Sequence, residues 1–546
     1  MAGPSVIVIG AGAGGLAAAA RLAQQGAKVK VIEKNDCVGG RCSIIHDNGF
    51  RFDQGPSLVL MPEIFLETFQ DLGTSMNEEG LDMLKCEPNY RIWFADGDTV
   101  ELSSNLSQLK QEIQRHEGPD SFPRLCAFLS EAGTYYDLAL NYVLRRNFPS
   151  ILSLLQPRVL LGLLRMRPWT TVYGRASQYF YSDKMRRAWT FASMYLGMSP
   201  YVAPGTYALL QYTETVDGIW YPRGGFQAIL QALADVGSRF GVQYRLNSTV
   251  ESIIVSKDHP KSAQGVRLSS GDELYADIVL ANADLVYVYN ELLPPSPQAC
   301  ALKRRQASCS SVSFFWAMDR TLPQLNAHNI FLAHKYQESF DAIFKHHSIP
   351  NEPSFYVNVP SRVDPTAAPA GKETMVVLVP VGNLTSASVD ETQTWEQKIP
   401  AIRNFVLEAL KMRAGLGDLS SDILSERYET PATWQSKFNL DRGAILGLSH
   451  SFLNVLSFRP KTKHPDIENL YFVGASTHPG TGVPICLAGG KLVAQQILEN
   501  YDKAEEGWSS SSFQIIMALV AVLVVTISLL ANNLSSNGLF VYLPEH

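Results

Sequence analysis

Apolar and polar positions at the start of the chain predict a strand, a helix and a second strand in close succession. Ser5–Ile9 is a short apolar run with the length of a buried strand, and Leu16–Gln25 has the Ala- and Leu-rich composition of a helix. Lys28–Ile32 predicts a second strand, which ends at Glu33. Strand, helix and strand in this order are typical of an open parallel sheet.

A glycine loop joins the first strand to the helix. Gly10 permits the tight turn, Gly12 lets the backbone approach a diphosphate, and Gly15 lets the helix pack closely on the strand. The helix N-terminus then offers unpaired N–H groups to phosphates. Glu33 is placed to accept hydrogen bonds from a ribose diol, which favours FAD or NAD over NADP. The alternative to dinucleotide binding is a purely structural glycine turn.

Later segments continue the pattern of alternating strands and helices. Gly224–Ala234 has helical periodicity, and Val242–Val255 predicts paired strands. Gly265–Leu268 and Glu273–Leu280, joined by a turn, predict a hairpin running into a buried strand. Asn282 and Asp284 follow that strand, at the edge where α/β sheets collect their ligands. Residues 310–450 mix strands and helices, and 469–474 predicts a last buried strand before a Gly/Pro-rich loop and a helix.

The segment after Asp137 has a distinct composition. No acidic residue occurs between Asp137 and Asp183, whereas six arginines do, and they are interleaved with leucine-rich turns. This combination suits an amphipathic segment in a lipid headgroup layer, with its cations directed toward phosphates. The alternative is a helical cap on the substrate domain, and both hold if the cap is where a lipid enters.

The C-terminal run 513–531 carries no charge and is apolar except for Gln514, Thr526 and Ser528. Its length matches the roughly 20 residues that a helix needs to span a bilayer. It predicts a single transmembrane helix, with a buried core helix as the alternative. A large body with a short tail then predicts a single-pass membrane protein whose catalytic part faces the cytosol, with the endoplasmic reticulum as the expected membrane.

Composition narrows the functional classes. A chain of 546 residues is long enough for two or more domains. A net charge of −6 argues against nucleic-acid binding. Seven scattered cysteines without a C-x-x-C pair predict neither a disulfide framework nor a metal site.

Two further glycine-rich blocks accompany the first one. Gly39, Gly40 and Arg41 follow the second strand, and 473–482 ends the last predicted strand at the start of a helix. With the blocks 218–225, 329–332, 353–360, 378–382 and 444–450, the chain resembles the phytoene desaturases of the bacterial and fungal type, within the amine-oxidase-like flavoproteins. The resemblance extends over essentially the whole chain.

The resemblance implies an α/β fold: a Rossmann-type FAD-binding domain with an α+β substrate domain, a helical membrane-associating part and a C-terminal transmembrane helix. The expected boundaries are 1–90, 225–300 and 455–505 for a discontinuous FAD-binding domain, 91–224 for the helical part, 301–454 for the substrate domain and 513–531 for the span.

The resemblance also implies a reaction, the FAD-dependent dehydrogenation of 15-cis-phytoene to lycopene or a more conjugated product. A hydride leaves for the flavin and a proton must leave the adjacent carbon, for which Glu214, Asp217 and His478 are candidates. The residues expected to bind the cofactor are Gly10, Gly12, Gly15, Glu33, Gly40, Arg41, Val250, Gly474 and Pro484.

Several alternatives stay open at the level of sequence. A flavin amine oxidase, a carotene isomerase and a non-catalytic isoprenoid-binding flavoprotein share the same cofactor blocks. The expected electron acceptor is oxygen or a quinone, with NAD as an alternative, although only one nucleotide-binding loop is visible. The other expected partners are a C40 polyene, a lipid bilayer and a second copy of the chain, with no nucleic acid.

Overall fold

The computed structural model describes residues 3–385 and 394–505. All residues discussed below as part of a site lie in the first of two compact units, Met1–Ala494. The strands, in chain order, are β1 (Ser5–Ile9), β2 (Lys28–Ile32), β3 (Ile44–Asp47), β4 (Phe50–Asp53), β5 (Met83–Cys86), β6 (Tyr90–Trp93), β7 (Thr99–Leu102), β8 (Ile219–Pro222), β9 (Gln243–Arg245), β10 (Val250–Val255), β11 (Ala263–Leu268), β12 (Glu273–Tyr275), β13 (Ile278–Ala281), β14 (Ser310–Met318), β15 (His328–Phe331), β16 (Phe355–Asn358), β17 (Glu373–Val381), β18 (Ile423–Glu429) and β19 (Leu470–Phe472).

The helices connect these strands and form a separate helical part. Short π-helical turns cover Leu140–Leu144 and Thr213–Asp217. The α-helices are α1 (Ala13–Gln24), α2 (Pro62–Asp71), α3 (Leu106–Glu117), α4 (Ser121–Ala139), α5 (Pro157–Met166), α6 (Val172–Ala176), α7 (Asp183–Ala188), α8 (Leu209–Tyr212), α9 (Phe226–Arg239), α10 (Leu285–Tyr287), α11 (Pro297–Lys303), α12 (Tyr336–Phe344), α13 (Trp395–Ala414), α14 (Pro431–Phe438) and α15 (Val483–Glu505).

A parallel sheet in the order β19-β13-β1-β2-β9 carries the N-terminal glycine loop. β1 lies in its centre, and Val6–Ile9 are buried because both faces of the sheet are covered. The carboxyl ends of β1 and β13 are neighbours, which brings the glycine loop next to Asn282. This confirms the predicted α/β sheet and places Asn282 beside the glycine loop, at the edge predicted to bind a ligand.

A second sheet, in the order β18-β14-β17-β16-β15-β6-β7, faces the rest of the site. Its strands pair antiparallel except for β15 and β6. β14 and β17 are almost completely buried, since helix α13 packs its apolar face against them. β6 and β7 come from the chain segment before residue 103 and extend the sheet formed by residues 310–429.

The helical part between residues 106 and 217 encloses a third core. Aromatic side chains dominate it: Phe180 stacks on Trp189, and Phe128 meets both rings edge-on. Tyr90 and Tyr336 join this cluster from the second sheet and from α12. The helices are therefore held against the sheet by ring packing, and they close one side of a cavity.

The predicted C-terminal transmembrane helix requires a correction. The run 513–531 lies outside the described residues, and within 3–385 and 394–505 no helix is both long and apolar enough to cross a bilayer. Even α15 carries Lys491, Glu499 and Asp502 along its length, and such charges are costly inside hydrocarbon. The fold class is corrected to an amine-oxidase-like α/β FAD-binding fold with a second sheet; the predicted span and the single-pass location have no support.

Candidate cofactor and substrate site

A cavity of about 580 Å³ extends from the glycine loop to the second sheet. At one end its wall consists of backbone from the loops that follow β1, β2 and β19. Toward the other end the wall is mostly apolar and aromatic, with contributions from helices as well as strands. Representative side chains there are Leu58, Val143, Phe191, Leu332 and Phe340. The cavity therefore joins a backbone cradle to an apolar compartment.

The glycine loop has the geometry that a diphosphate needs. Gly10 has φ +95°, a conformation that other residues rarely adopt, and Gly12 caps α1 without a side chain in the way. A Cβ on Gly15 would lie 2.4 Å from the carbonyl oxygen of Gly10. Gly10 and Gly12 thus lie on the wall, whereas Gly15 allows the close packing behind it.

Glu33 lies at the end of β2, buried and on the cavity wall. Its Oε2 accepts the N–H of Ala11 at 2.8 Å, and its Oε1 accepts the N–H of Asn35 at 2.9 Å. A carboxylate has about four acceptor positions, so these two bonds leave capacity for a ligand hydroxyl. Glu33 therefore fixes the glycine loop as well as facing the cavity.

Gly40 and Arg41 form a second wall segment against the first loop. Gly39 pairs with Gly12 in a short parallel bridge, and Gly40 has φ +57°. The guanidinium of Arg41 donates to the carbonyl of Ile445, which lies on the wall across from it. Arg41 thus ties the nucleotide end of the cavity to the segment before His450.

The loop 473–486 closes the cavity from the carboxyl end of the chain. A Cβ on Gly14 would lie 2.9 Å from Val473 Cγ2, so this loop packs directly on the glycine loop. Gly474 has φ +127°, and Pro484 occupies the first turn of α15. Val250, at the start of β10, lies on the wall with Gly474 and Pro484. The structure brings these three predicted positions together with Gly10, Gly12, Glu33, Gly40 and Arg41.

His478 does not lie on the wall, although Thr477 and Pro479 do. Its Nε2–H donates to the Arg146 carbonyl at 2.7 Å, and its ring meets Phe148 edge-on. Burial lowers its pKa to about 4, so the ring is neutral. The side chain points toward the 146–148 segment and anchors it.

Asp217 also lies behind the wall. Its Oδ2 accepts the hydroxyl of Thr213 at 3.1 Å, and burial raises its pKa. The nearby wall residue is Tyr136, whose hydroxyl donates to Glu63 at 2.9 Å. Asp217 therefore belongs to a polar group around Tyr136.

Glu214 reaches the cavity through two tyrosines. Its side chain is 2% exposed, and burial raises its pKa to about 8. The hydroxyl of Tyr90 donates to Glu214 Oε1 at 3.1 Å and shares a 2.7 Å hydrogen bond with the hydroxyl of Tyr195. Tyr195 lies on the wall. Glu214, Tyr90 and Tyr195 form a hydrogen-bonded chain that ends at the cavity.

A second polar group, which the sequence did not predict, lies close to this chain. The hydroxyl of Tyr356 is 2.7 Å from Ser57 Oγ and 2.7 Å from His328 Nδ1. Tyr356 and Ser57 are wall residues, and burial lowers the pKa of His328 to about 3. The block 353–360, which contains Tyr356, is recognisable in the sequence, but its contact with Ser57 depends on how β4 and β16 are placed.

Two predicted strand-end residues, Asn282 and Asp284, also lie on the wall. Asn282 Nδ2 donates to the Gly10 carbonyl at 3.3 Å. Asp284 caps α10, and burial raises its pKa to about 6. The site therefore combines a glycine cradle, an open helix N-terminus and a carboxylate, Glu33, that faces the cavity, and these features fit FAD.

Comparison with known proteins agrees with this geometry. The flavin-containing amine oxidoreductase family matches residues 13–498. Cyclohexylamine oxidase from Brevibacterium oxydans has the same fold, with a TM-score of 0.56 at 18% identity, covering 92% of this chain and 100% of its own. The phytoene desaturase of Fusarium fujikuroi is 56% identical over 511 residues, 91% of this chain and 89% of its own length. That of Neurospora crassa is 52% identical over 505 residues, 91% and 84% respectively.

The chain thus belongs to the flavin-containing amine oxidoreductases. Within them it belongs with the fungal-type phytoene desaturases, which confirms the resemblance noted in the sequence. It is an FAD-dependent oxidoreductase of carotenoid biosynthesis.

Proposed function

We propose that this protein converts 15-cis-phytoene by successive dehydrogenations to lycopene or a more conjugated product. The observation that carries the proposal is the cavity, in which a cradle suited to FAD opens directly into an apolar compartment. An unfunctionalised polyene offers no group for a salt bridge, so an apolar wall is the surface that would bind it.

Each step removes two hydrogens from neighbouring carbons. One leaves as a hydride with two electrons, which bound FAD accepts, and the other leaves as a proton. Oxygen or a quinone would be the terminal acceptor of these electrons. The protein must therefore orient the polyene, keep water from the apolar compartment and remove one proton per step.

We assign the cofactor contacts to the backbone cradle. Gly10 and Gly12 would face the diphosphate with the N-terminus of α1, and Glu33 would accept the ribose hydroxyls. Gly40, Arg41 and Val250 would complete the nucleotide end of the site. Gly474 and Pro484 would bound the ring end, since they belong to the loop that closes on the glycine loop.

For the proton we favour Glu214 among the three candidates, because two tyrosine hydroxyls connect its carboxylate to the cavity at Tyr195. Tyr195 would accept the proton at the cavity while its own hydroxyl proton moves through Tyr90 to Glu214. The raised pKa of Glu214 gives the carboxylate a high proton affinity once it is ionised. His478 has its Nε2–H committed to the Arg146 carbonyl.

Helix α5 provides a surface on which a lipid-dissolved substrate could arrive. It turns Val159 and Met166 inward and leaves Leu160, Leu161 and Leu164 45%, 52% and 54% exposed. An apolar outer face beside cations matches an interfacial helix on an anionic lipid surface. The exposed arginines beside these leucines are Arg158, Arg165 and Arg167.

This surface continues into the cavity wall. Ala139, Val143 and Leu144 line the cavity, and a Cβ on Gly162 of α5 would lie 3.8 Å from the neighbouring Leu138 side chain. Phe452 and Leu453, 53% and 67% exposed, add to the apolar surface where the Ser457 hydroxyl donates to the Ser150 carbonyl. We therefore propose that phytoene enters from a lipid surface against this face.

The test is conversion of phytoene by purified protein loaded with FAD, with the substrate dissolved in phosphatidylcholine vesicles. We expect a coloured product whose absorption moves to longer wavelength as conjugation grows. Glu33→Ala should lose both bound flavin and colour, while Asp36→Ala, at an exposed neighbouring position, should retain both. Oxidation of primary amines without any coloured product would contradict the proposal.

A further inference from the structure

Three cations next to the closing loop lack a carboxylate partner within the described part of the chain. They are Arg305, Arg459 and Lys461, and each donates to backbone carbonyls or to an amide oxygen instead. A buried charge is usually paired, because leaving water without a counter-charge costs several kcal/mol. A cluster of such cations therefore suggests that an anion binds or forms nearby.

Arg459 is the centre of the cluster and is 1% exposed. Its Nε donates to the Thr477 carbonyl at 2.9 Å, and its Nη2 donates to the Ala475 carbonyl. Its Nη1 donates to the Asn454 carbonyl at 2.7 Å. Thr477 and Ala475 are both wall residues of the closing loop. The guanidinium thus lies one layer behind the cavity wall.

Arg305 and Lys461 flank Arg459. The Arg305 Nη1 donates to Asn454 Oδ1 at 3.2 Å and to the Phe458 carbonyl at 2.7 Å. The Lys461 ammonium donates to the carbonyls of Phe148 at 2.8 Å and Ser457 at 2.6 Å. Burial lowers the pKa of all three cations, that of Arg459 to about 10, so Arg459 stays charged at neutral pH.

The surrounding side chains do not cancel this charge. Burial lowers the pKa values of His450 and His478, so both rings are neutral. The carboxylates on the cavity wall are engaged elsewhere: Glu33 holds the glycine loop, and Asp284 caps α10. The field at the 475–477 end of the cavity is therefore positive.

We propose that Arg459, assisted by Arg305 and Lys461, provides the counter-charge for the negative charge that FAD gains on two-electron reduction. This inference rests on the proposed function, in which the flavin ring lies against the closing loop. A hydrocarbon transfers two electrons and one proton as hydride, and its second proton leaves separately. A fixed positive field favours the reduced cofactor and hence the removal of a hydride from an allylic carbon of the polyene.

The test measures the flavin midpoint potential by anaerobic spectroelectrochemistry on the FAD-loaded protein, without substrate. Arg305→Gln and Lys461→Gln each remove one charge and keep a donor, and both should lower the midpoint potential. For a two-electron couple, a tenfold loss in preference for the reduced form appears as about 30 mV. Arg304→Gln, an exposed neighbour, should leave the potential unchanged, and Arg459→Lys, which keeps the charge, should change it little.

Unchanged potentials in both Arg305→Gln and Lys461→Gln would overturn the inference. Weaker FAD binding at an unchanged potential would equally overturn it, since the cations would then only hold the loop. Because no substrate is present, the result is independent of the reaction catalysed. Lowered potentials in a protein that leaves phytoene unchanged would refute the proposed function and leave the inference standing.

Discussion

At the scale of single residues, Glu214 shows how burial alters the chemistry of a carboxyl group. Its pKa is about 8 rather than the ordinary 4.5, because it is buried, and among residues 3–385 and 394–505 Tyr90 is the one side chain that donates to it. Near neutral pH it is therefore mostly protonated. It can accept a proton from the Tyr90–Tyr195 chain only in its ionised form.

We expect the desaturation rate to rise with pH through about 8 as Glu214 ionises. Glu214→Gln should abolish that rise and slow the reaction roughly 100- to 10,000-fold, the usual contribution of a positioned base. Initial rates measured between pH 6 and 9 check this. Glu408→Gln, at an exposed position of α13, should behave like the native protein. If the rate of Glu214→Gln depends on pH as that of the native protein does, Glu214 is not the base in this reaction.

The same pKa shift affects stability with a defined sign. The pKa of Glu214 is higher in the folded state than its ordinary value of 4.5, so the folded state binds more protons in between. The stability linked to this group is fully present below about pH 4.5 and is lost as pH rises through about 8, at up to ~1.4 kcal/mol per pH unit. The free energy of unfolding of Glu214→Gln should accordingly fall less over this range than that of the native protein.

Individual residues also show where sequence reasoning stops. Proximity to Pro479 in the chain made His478 a candidate, but neighbours along a loop can point in opposite directions, and its ring turns toward Phe148. Tyr195 and Tyr356 carried no signal of their own, because their hydroxyls reach Glu214 and Ser57 only after distant segments pack together. Glu33 was predictable since its position follows from one local β-α-β unit.

At the scale of elements, α5 is amphipathic in an unusual sense. Its buried face carries Val159 and Met166, and its exposed face carries Leu160, Leu161 and Leu164. The exposed arginines of the helix lie beside these leucines. The sequence predicted this segment from its missing acids and its leucine runs. Which leucines face outward depends on α5 packing through Val159 and Met166, and only the fold fixes that.

We expect Leu160→Gln combined with Leu164→Gln to weaken binding to anionic vesicles, since each buried leucine contributes about 1.5–3 kcal/mol. As vesicle binding weakens, the conversion of phytoene dissolved in vesicles should fall, whereas the conversion of phytoene dispersed in detergent should not change. Vesicle co-sedimentation and parallel assays in the two media measure this. Leu424→Gln, 50% exposed on β18, is the matched control. Equal losses in vesicles and detergent would point to a folding defect instead.

At the scale of the whole molecule, the cofactor site draws on segments far apart in sequence. The wall includes the loop after β1, the start of β10 and the loop after β19. The local parts of this site were predictable from glycine spacing and from the strand patterns. The joining of β6 and β7 to a sheet made of residues 310–429 was not, because long-range strand pairing leaves no local pattern.

Since FAD would contact several distant segments at once, its removal should destabilise the protein as a whole. At a free concentration one hundred times its dissociation constant, a ligand adds about 2.7 kcal/mol to the free energy of unfolding. We expect the melting temperature to fall when FAD is stripped and to recover on its return. Glu33→Ala should melt at the same temperature with and without FAD. If the melting temperature of the native protein is the same with and without FAD, this assignment of the site is wrong.

The packing of Val473 against Gly14 also has a consequence for how the protein is made. A ribosome must synthesise residues up to about 486 before the glycine loop, one of the first segments to emerge, meets the loop that closes over it. At 5–20 residues per second this takes roughly half a minute to a minute and a half. During that interval the nucleotide cradle of the nascent chain is unfinished, so the closing loop can enclose FAD only after nearly the whole chain has been made.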